Sequence, residues 1–332
     1  MPQLRRDPII TSRWVIIAAE RAKRPNDFKF NEPDRYGDGP CPFCEGNEKL
    51  TPPEVDADRL KNTLADSTGW LTRTVPNKYP ALEDKPSLGK TVEGLFEMMD
   101  GIGRHEVIIE SPDHNKQLVD LDIEQIRKIV QVYKRRSIEL SKDERFKHIL
   151  IFKNYGMAAG ASLEHSHSQL ISLPVIPRRV MEELECSHQY YDNNNNCIFC
   201  DIAKQEAKSL ERLVYENTDF IVFCPFASRF PFEMMIIPKK HQSHFSDITR
   251  IQIDSFAIVI KETLTKIKKV LKNPAYNFII HTNSYNGEGE KYYHWHVEII
   301  PTLNKTAGFE WGTGFYINPT SPEAAAKYLK QS

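Results

Sequence analysis

One short segment, residues 154–169, holds residue types that could carry out a reaction. Its two histidines, His165 and His167, lie two residues apart and follow a small loop that contains glycines and a serine. If the end of the segment is a strand, both imidazoles and Gln169 point to one face, because side chains in a strand alternate with a period of two. A histidine nucleophile beside a loop whose backbone N–H groups can approach phosphate predicts nucleotidyl transfer through a covalent intermediate.

Two histidines in this spacing are most often structural. A chemical role is favoured here by the glycine- and serine-containing loop, by the terminal Gln169, and by candidate metal ligands elsewhere in the chain. In this interpretation one histidine binds a metal or a structural partner, and the other faces a substrate.

The chain contains six cysteines, and four of them form two Cys-x-x-Cys pairs, Cys41/Cys44 and Cys197/Cys200. The first pair lies in a loop rich in Gly, Pro and Asn, as cysteines of zinc knuckles do. No apolar stretch typical of a signal peptide or a membrane span is present, so we expect a cytoplasmic protein whose paired cysteines bind zinc instead of forming disulfides.

The two cysteine pairs open two similar halves. Each half continues with an apolar strand that leads to a histidine, a long amphipathic helix, a second strand, a loop and a His-x-His. Asn154 to His165 and Asn283 to His294 both span 11 residues. This order predicts an α+β fold of two tandem halves, 1–185 and 186–332, each an antiparallel sheet with helices, joined by an exposed connector within residues 186–196.

Each half offers two thiolates and at least two histidines, which suits a closed, tetrahedral and therefore structural zinc site. His244 is an alternative to His241, and His296 is an alternative to His294. We predict two zinc ions per chain, with the following ligands: Cys41, Cys44, His114 and His165 in the first half, and Cys197, Cys200, His241 and His294 in the second.

This assignment leaves His167 and His296 to face a substrate. The neighbours of the two differ: small or neutral in one case, bulky or acidic in the other (Ser166, Ser168 and Gln169 against Trp295, Val297 and Glu298). A carboxylate would repel a phosphate, so the first half is predicted to carry catalysis and His167 to be the nucleophile. A backbone carbonyl can fix the tautomer of His167, and Ser162, Gln169 and loop N–H groups can stabilise the phosphate charge.

Composition excludes some other classes. The chain has 332 residues, 27% of them charged, and a net charge of −1, so no basic field indicates nucleic acid or an anionic membrane surface. A zinc-stabilised binding module remains the alternative from another class. The near-zero charge and the phosphate-type loop favour an enzyme over such a module.

The chain resembles the galactose-1-phosphate uridylyltransferase family of the histidine-triad superfamily over nearly its whole length. The motifs that carry the resemblance follow in family order: Arg21-Ala-Lys-Arg24-Pro, Cys41-Pro-Phe-Cys44, Val75-Pro-Asn77-Lys-Tyr79-Pro, Ser111-Pro-Asp-His114, Asn154 to Gln169, and His294-Trp-His296.

The resemblance implies a ping-pong transfer of a nucleoside monophosphate through a nucleotidyl-histidine at His167. It also implies a homodimer in which the segment Gly308-Phe309-Glu310 reaches into the partner's site. The residues that it implies for nucleotide binding are Arg21, Arg24, Asn77, Asn154, Gly160, Ser162, Gln169, Gly308, Phe309 and Glu310.

Two features differ from the uridylyltransferases. His165-Ser-His167-Ser-Gln169 replaces His-Pro-His-Gly-Gln, and a second Cys-x-x-Cys stands where a glutamate and three histidines typically form the second metal site. These features are more similar to the ADP-glucose phosphorylase branch, which passes AMP to orthophosphate. The alternatives are a uridylyltransferase that uses UDP-glucose and an adenylylsulfate:phosphate adenylyltransferase.

Overall fold

The computed structural model describes residues 1–21, 39–285 and 287–332. The elements before the second cysteine pair are β1 (Gln3–Arg6), β2 (Trp14–Ile17), β3 (Asp56–Arg59), β4 (Trp70–Pro76), β5 (Thr91–Glu93), β6 (Phe96–Met98), β7 (His105–Ile109), α1 (Ile123–Ser141), β8 (His148–Tyr155), β9 (His167–Leu173) and α2 (Arg178–Asn194). The remainder are α3 (Ile198–Ser209), β10 (Leu213–Glu216), β11 (Phe220–Phe223), β12 (Met234–Pro238), α4 (Arg250–Leu271), β13 (Tyr276–His281), β14 (His296–Pro301), α5 (Gly308–Thr313), β15 (Tyr316–Asn318) and α6 (Pro322–Lys330).

Ten strands form one antiparallel sheet in the order β10-β11-β12-β14-β13-β8-β9-β7-β4-β3. Each half contributes five consecutive strands, and the second set repeats the first in reverse order about the β13–β8 pair. The predicted α+β fold of two tandem halves is therefore confirmed. The two half-sheets do not stand apart, however, because β13 pairs with β8 from Tyr276 opposite Tyr155 to Ile280 opposite Ile151.

Two long helices cover one face of this sheet. The side chain of Asp122 accepts a hydrogen bond from the backbone of Gln125 and so begins α1, while Thr249 and Gln252 form a capping box at the start of α4. The apolar stripes of both helices pack on alternate residues of the strands, and burying one such side chain stabilises the fold by about 1.5–3 kcal/mol. Since α1 and α4 occupy this face, the histidine motifs lie on the other.

The predicted connector is helical instead. Residues 186–194 continue α2, which ends where Asn195 adopts a left-handed backbone with φ +51°. A run of polar side chains on an exposed helix surface looks like a loop in the sequence, and the left-handed residue ends the helix only after that run.

A smaller sheet joins residues from the two ends of the chain. It contains β1, β2 and β15, with β2 antiparallel to β1 and parallel to β15. Of the helices among the described residues, none is both long and apolar enough to cross a membrane.

Candidate functional site

His167 is the first residue of β9 and lies opposite Ile109 of β7. Its Nδ1 is 2.8 Å from the backbone oxygen of His165, so Nδ1–H donates and Nε2 keeps a free lone pair. Burial, followed by the charge of Lys153, lowers the pKa of His167 to about 4. The ring is therefore neutral near pH 7, which a nitrogen nucleophile requires.

The first predicted metal cluster lies directly beside this histidine. The ligand atoms of Cys41, Cys44, His114 and His165 all lie within 4.8 Å of one another. Cys44 Sγ is 3.3 Å from Nδ1 of His114 and 3.7 Å from Nδ1 of His165. Zinc–ligand bonds of about 2.0–2.3 Å in a tetrahedron separate the ligand atoms by roughly 3.3–3.8 Å, so these four side chains fit a zinc ion.

The remaining ring nitrogen of His165 and the loop that carries Cys41 and Cys44 connect the cluster to His167. Nε2 of His165 is 2.7 Å from the backbone oxygen of Ser111, which fixes its ring while Nδ1 faces the thiolates. Phe43, between the two cysteines, packs its ring against His167 at 5.2 Å between centroids. A metal in this cluster would thus fix the position of the His167 ring.

The two serines of the histidine motif point away from the substrate face. Ser166 and Ser168 both donate to the fully buried carboxylate of Glu110, on the helix side of the sheet. Lys153 Nζ is 2.8 Å from this carboxylate and 2.9 Å from the carbonyl oxygen of His167. The serines therefore support a buried ion pair behind His167 and do not line the face that His167 shares with Gln169.

The second predicted cluster has the same construction. The ligand atoms of Cys197, Cys200, His241 and His294 lie within 4.8 Å of one another. Cys200 Sγ is 3.4 Å from Nδ1 of both His241 and His294, and Nε2 of His241 is 2.8 Å from the backbone oxygen of Glu290. These four also fit tetrahedral zinc. His244 instead pairs with Glu290 and Ser243.

His296 occupies the position of His167 in the second half, but its surroundings differ. Its Nδ1 is 3.0 Å from the oxygen of His294, and its ring stacks on His281 at 4.6 Å. Glu298, which corresponds to Gln169, is fully buried and pairs with Arg179 and Arg229. A buried carboxylate and its two arginine partners thus stand beside His296, where the neutral Gln169 stands beside His167.

Of the three neighbours predicted to disfavour phosphate beside His296, only Glu298 lies on the same face of the sheet. Trp295 and Val297 point into the helix-side core and do not touch the substrate face. Only Glu298 shares the face of His296, as the strand alternation requires.

The structure also gathers Glu183, His281 and His296 closely enough to bind a metal. Neither Glu183 nor His281 was predicted from the sequence as a site residue. Arg179 neutralises Glu183 at 2.8 Å, and burial lowers the pKa of His281 less than Glu183 and Glu298 raise it, to about 9. The group is thus balanced in charge without an ion. The feature of the sequence that could have indicated this group is His281, which ends the strand before the loop.

A further residue absent from the sequence prediction contacts Gln169. His105, at the start of β7, places Nε2 2.8 Å from Oε1 of Gln169. Nδ2 of Asn77 approaches the same Nε2 at 3.1 Å, and Oδ1 of Asn77 accepts a hydrogen bond from the backbone of Tyr79. The structure thus brings Asn77, Gln169 and His105 together on the face of His167.

The loop between β8 and β9 carries the other predicted substrate residues. Gly160 has φ +92°, a left-handed conformation that favours glycine, and it is exposed together with Ser162. Asn154 accepts a hydrogen bond of 2.8 Å from Asn277 of β13, and Asn277 also bonds the carbonyl of Ala159. A residue of the second half therefore anchors this loop.

The remaining predicted contacts are separate from this cluster or not described. Gly308, Phe309 and Glu310 form the start of α5, which packs on β15 in the second half. Glu310 caps its own helix by accepting from the backbone of Ala307, and Phe309 is 44% exposed. The side chain of Arg21 is not described, and Arg24 lies outside the described residues.

Comparison with known proteins gives the same assignment over both halves. The models for the N-terminal and C-terminal domains of galactose-1-phosphate uridyl transferase match residues 2–177 and 183–318. An ADP-glucose phosphorylase of Arabidopsis thaliana is 39% identical, over 99% of this chain and 93% of that protein. A galactose-1-phosphate uridylyltransferase of Thermotoga maritima is 32% identical, over 100% of this chain and 99% of that protein.

Solved structures extend the likeness to the fold. The crystal structure of an Arabidopsis thaliana ADP-glucose phosphorylase with bound ADP-glucose has a TM-score of 0.85 and 37% identity, covering 100% of this chain and 99% of that one. A structure of uridylyltransferase has a TM-score of 0.77 and 29% identity, covering 100% and 98%.

Proposed function

Because the chain belongs to the galactose-1-phosphate uridyl transferase family and is a nucleotidyltransferase that acts on sugar phosphates, we propose that it transfers AMP from ADP-glucose to orthophosphate. The observation that carries the mechanism is the free Nε2 of a neutral His167, whose Nδ1 is engaged by the oxygen of His165. The choice of adenylate rests on the relative with 39% identity. Exchange of UMP between UDP-glucose and galactose 1-phosphate is the second candidate, supported by the relative with 32% identity.

The proposed reaction has two in-line displacements. Nε2 of His167 attacks the α-phosphorus of ADP-glucose, an N–P bond forms, and the P–O bond to glucose 1-phosphate breaks. An oxygen of orthophosphate then attacks the same phosphorus, the N–P bond breaks, and ADP leaves. The Nδ1 proton stays on the ring throughout, hydrogen-bonded to the His165 carbonyl, where it stabilises the positive charge that the ring carries in the intermediate.

Donors near the α-phosphate lower the barrier. We assign this role to the amide of Gln169, the hydroxyl of Ser162 and the backbone N–H groups around Gly160. Asn77 and Asn154 are assigned to nucleotide contacts.

We propose two structural zinc ions per chain, one in each Cys2His2 cluster. Zinc bound there supplies rigidity, because four protein ligands leave no coordination position for a substrate. The chain's own contribution is the Phe43 ring, which transmits the position of the first cluster to His167.

The proposed assembly is a homodimer in which Gly308, Phe309 and Glu310 complete the partner's site, and Arg21 and Arg24 are assigned to nucleotide contacts. The exposure of the short helix α5 supports a partner contact. The cytoplasm is the proposed compartment, since the thiols of the described cysteines are all free and four of them lie in metal-type clusters.

A donor screen with a covalent readout tests the function. The enzyme is incubated with ADP-glucose or UDP-glucose labelled at the α-phosphorus, and the protein-bound label is measured after acid-free denaturation. We expect label from ADP-glucose, its release as ADP on addition of orthophosphate, and its loss in His167→Ala but not in His296→Ala. Labelling by UDP-glucose but not by ADP-glucose would support the uridylyl exchange. Label retained in His167→Ala would exclude His167 as the nucleophile.

A further inference from the structure

His105 lies on the same face of the sheet as the nucleophile. It starts β7, and its cross-strand partner in β9 is Ile171, so Gln169 is its diagonal neighbour on that face. Its ring is held between the backbone that follows β4 and the side chain of Gln169. In this position His105 contacts both Gln169 and the loop that carries Asn77.

The hydrogen bonds of His105 determine its tautomer. The backbone N–H of Ala81 points at Nδ1 over 3.2 Å, and a backbone N–H can only donate. Nδ1 must therefore carry the lone pair, and the proton of the neutral ring is on Nε2. Nε2–H donates to Oε1 of Gln169 over 2.8 Å.

This tautomer also separates the roles of the two neighbouring amides. A protonated Nε2 cannot accept from Nδ2 of Asn77, so their 3.1 Å approach is a contact without a hydrogen bond. The Asn77 amide N–H groups stay available for a ligand. With Oε1 of Gln169 engaged, its Nε2 amide, which has no hydrogen-bond partner among the described residues, faces the substrate.

The orientation of Gln169 matters because an amide has two unlike ends. Its NH₂ group stabilises a phosphate, whereas its carbonyl oxygen repels one. We propose that His105 is a positioning residue that selects the orientation in which Gln169 donates its amide N–H to the α-phosphate. This inference rests on the proposed function, since it gives Gln169 its use in the same reaction.

The test compares two substitutions of His105 in two backgrounds. His105→Leu removes the donor while keeping an apolar body, and His105→Gln restores an N–H at a similar distance. The rate at which ADP-glucose labels His167 is measured for each, alone and combined with Gln169→Ala. Zinc content and thermal unfolding of every variant identify a loss caused by misfolding.

We expect His105→Leu to lower the labelling rate about 10- to 100-fold, less than the roughly 10²–10³ for removal of a phosphate donor itself, with little change in KM. His105→Gln should recover most of the rate, and His105→Leu should add nothing in the Gln169→Ala background. An equal loss in both backgrounds, or an unchanged rate in His105→Leu, would overturn the inference.

A second readout does not need activity. In ¹⁵N-histidine NMR of the wild-type protein, the signal lost in His105→Gln should have the shifts of the Nε2–H tautomer. The Nδ1–H tautomer would overturn the proposal even if the enzyme is active. If no nucleotide sugar labels the wild-type protein but its His105 shows the Nε2–H tautomer, the result would count against the proposed function and not against this geometry.

Discussion

At the scale of single residues, the contact between Phe43 and His167 links the first predicted zinc site to the proposed nucleophile. Phe43 lies in the sequence between two predicted zinc ligands, and its ring packs on that of His167. Phe43→Leu should lower the rate of nucleotidyl transfer about 10- to 100-fold, since displacement of a reacting group by about 1 Å has such effects. Steady-state kcat of the purified variant checks this.

The second half offers a matched control for that substitution. Phe199 packs on His296 at 4.8 Å, in the same position of the second knuckle. Phe199→Leu should cost stability of a similar size and leave kcat nearly unchanged. A larger loss of kcat in Phe199→Leu than in Phe43→Leu would reverse the assignment of the active half.

Single residues also show what the sequence could reveal. The two Cys2His2 sets were predictable because Cys-x-x-Cys and histidines at repeated spacings point to metal chemistry without knowledge of the fold. The partners of Ser166 and Ser168 were not, since Glu110 and Lys153 lie far from them in sequence and meet only across the sheet. The role of His105 depended on the β7–β9 register, which no local pattern specifies.

At the scale of elements, the strand that carries His167 rests on the buried pair of Glu110 and Lys153. Burial raises the pKa of Glu110, but the charge of Lys153 and hydrogen bonds from both serines outweigh it and hold the pKa below its ordinary value. Glu110→Gln would leave Lys153 buried without its counter-charge, which typically costs about 3–5 kcal/mol of unfolding free energy. Denaturant titration checks this loss.

The double substitution Glu110→Leu/Lys153→Met is the control for that experiment. It removes both charges, so it should be more stable than Glu110→Gln alone. Because the folded pKa of Glu110 is depressed, its stabilisation is present above the unfolded value of about 4.3 and is lost as the pH falls through the lower folded value. This account would be contradicted if the free energy of unfolding of the wild type were the same at pH 3 and pH 7 while that of the double variant differed between the two.

The sequence predicted helices and strands well where the pattern was strong. The long amphipathic helix predicted in each half is present as α1 and α4, because amphipathic periodicity and capping residues mark both. The asparagine-rich end of α2 was predicted as a loop, since composition alone does not distinguish an exposed helix from a turn. The joining of β13 to β8 depends on long-range pairing and was not predicted.

At the scale of the whole molecule, the two halves differ in the residues that surround His167 and His296. In the first half, the predicted zinc site adjoins the partly exposed Asn77, His105 and Gln169; in the second, it adjoins a buried ion-pair network. Metal analysis of the unchelated protein should give two zinc ions per chain. Three ions, with one lost in Glu183→Gln, would show that the group of Glu183, His281 and His296 binds a metal despite Arg179.

Removal of zinc should affect both the stability of the fold and the position of His167. Chelation of the protein is expected to lower the unfolding temperature and the labelling rate together, because metal binding and folding are coupled. Cys44→Ser should abolish labelling by displacing His167, whereas Cys200→Ser should mainly lower the unfolding temperature. Equal labelling rates in Cys44→Ser and wild type would separate the first cluster from catalysis.

The proposed dimer has the sharpest test, because residues on two chains must act in one site. Phe309 is 44% exposed and Trp311 is 80% exposed on α5, which suits a helix that packs on a partner.

His167→Ala has no nucleophile, and Phe309→Ala lacks the contributed side chain, so each homodimer should be poorly active. In a mixed dimer the intact His167 of one chain meets the intact Phe309 of the other. Co-refolding at equal amounts should restore about a quarter of wild-type activity, since half of the dimers are mixed and each has one complete site. Mixed dimers, verified by two affinity tags, that remain as inactive as their parents would place Phe309 outside the partner's site and leave the His167 chemistry within one chain.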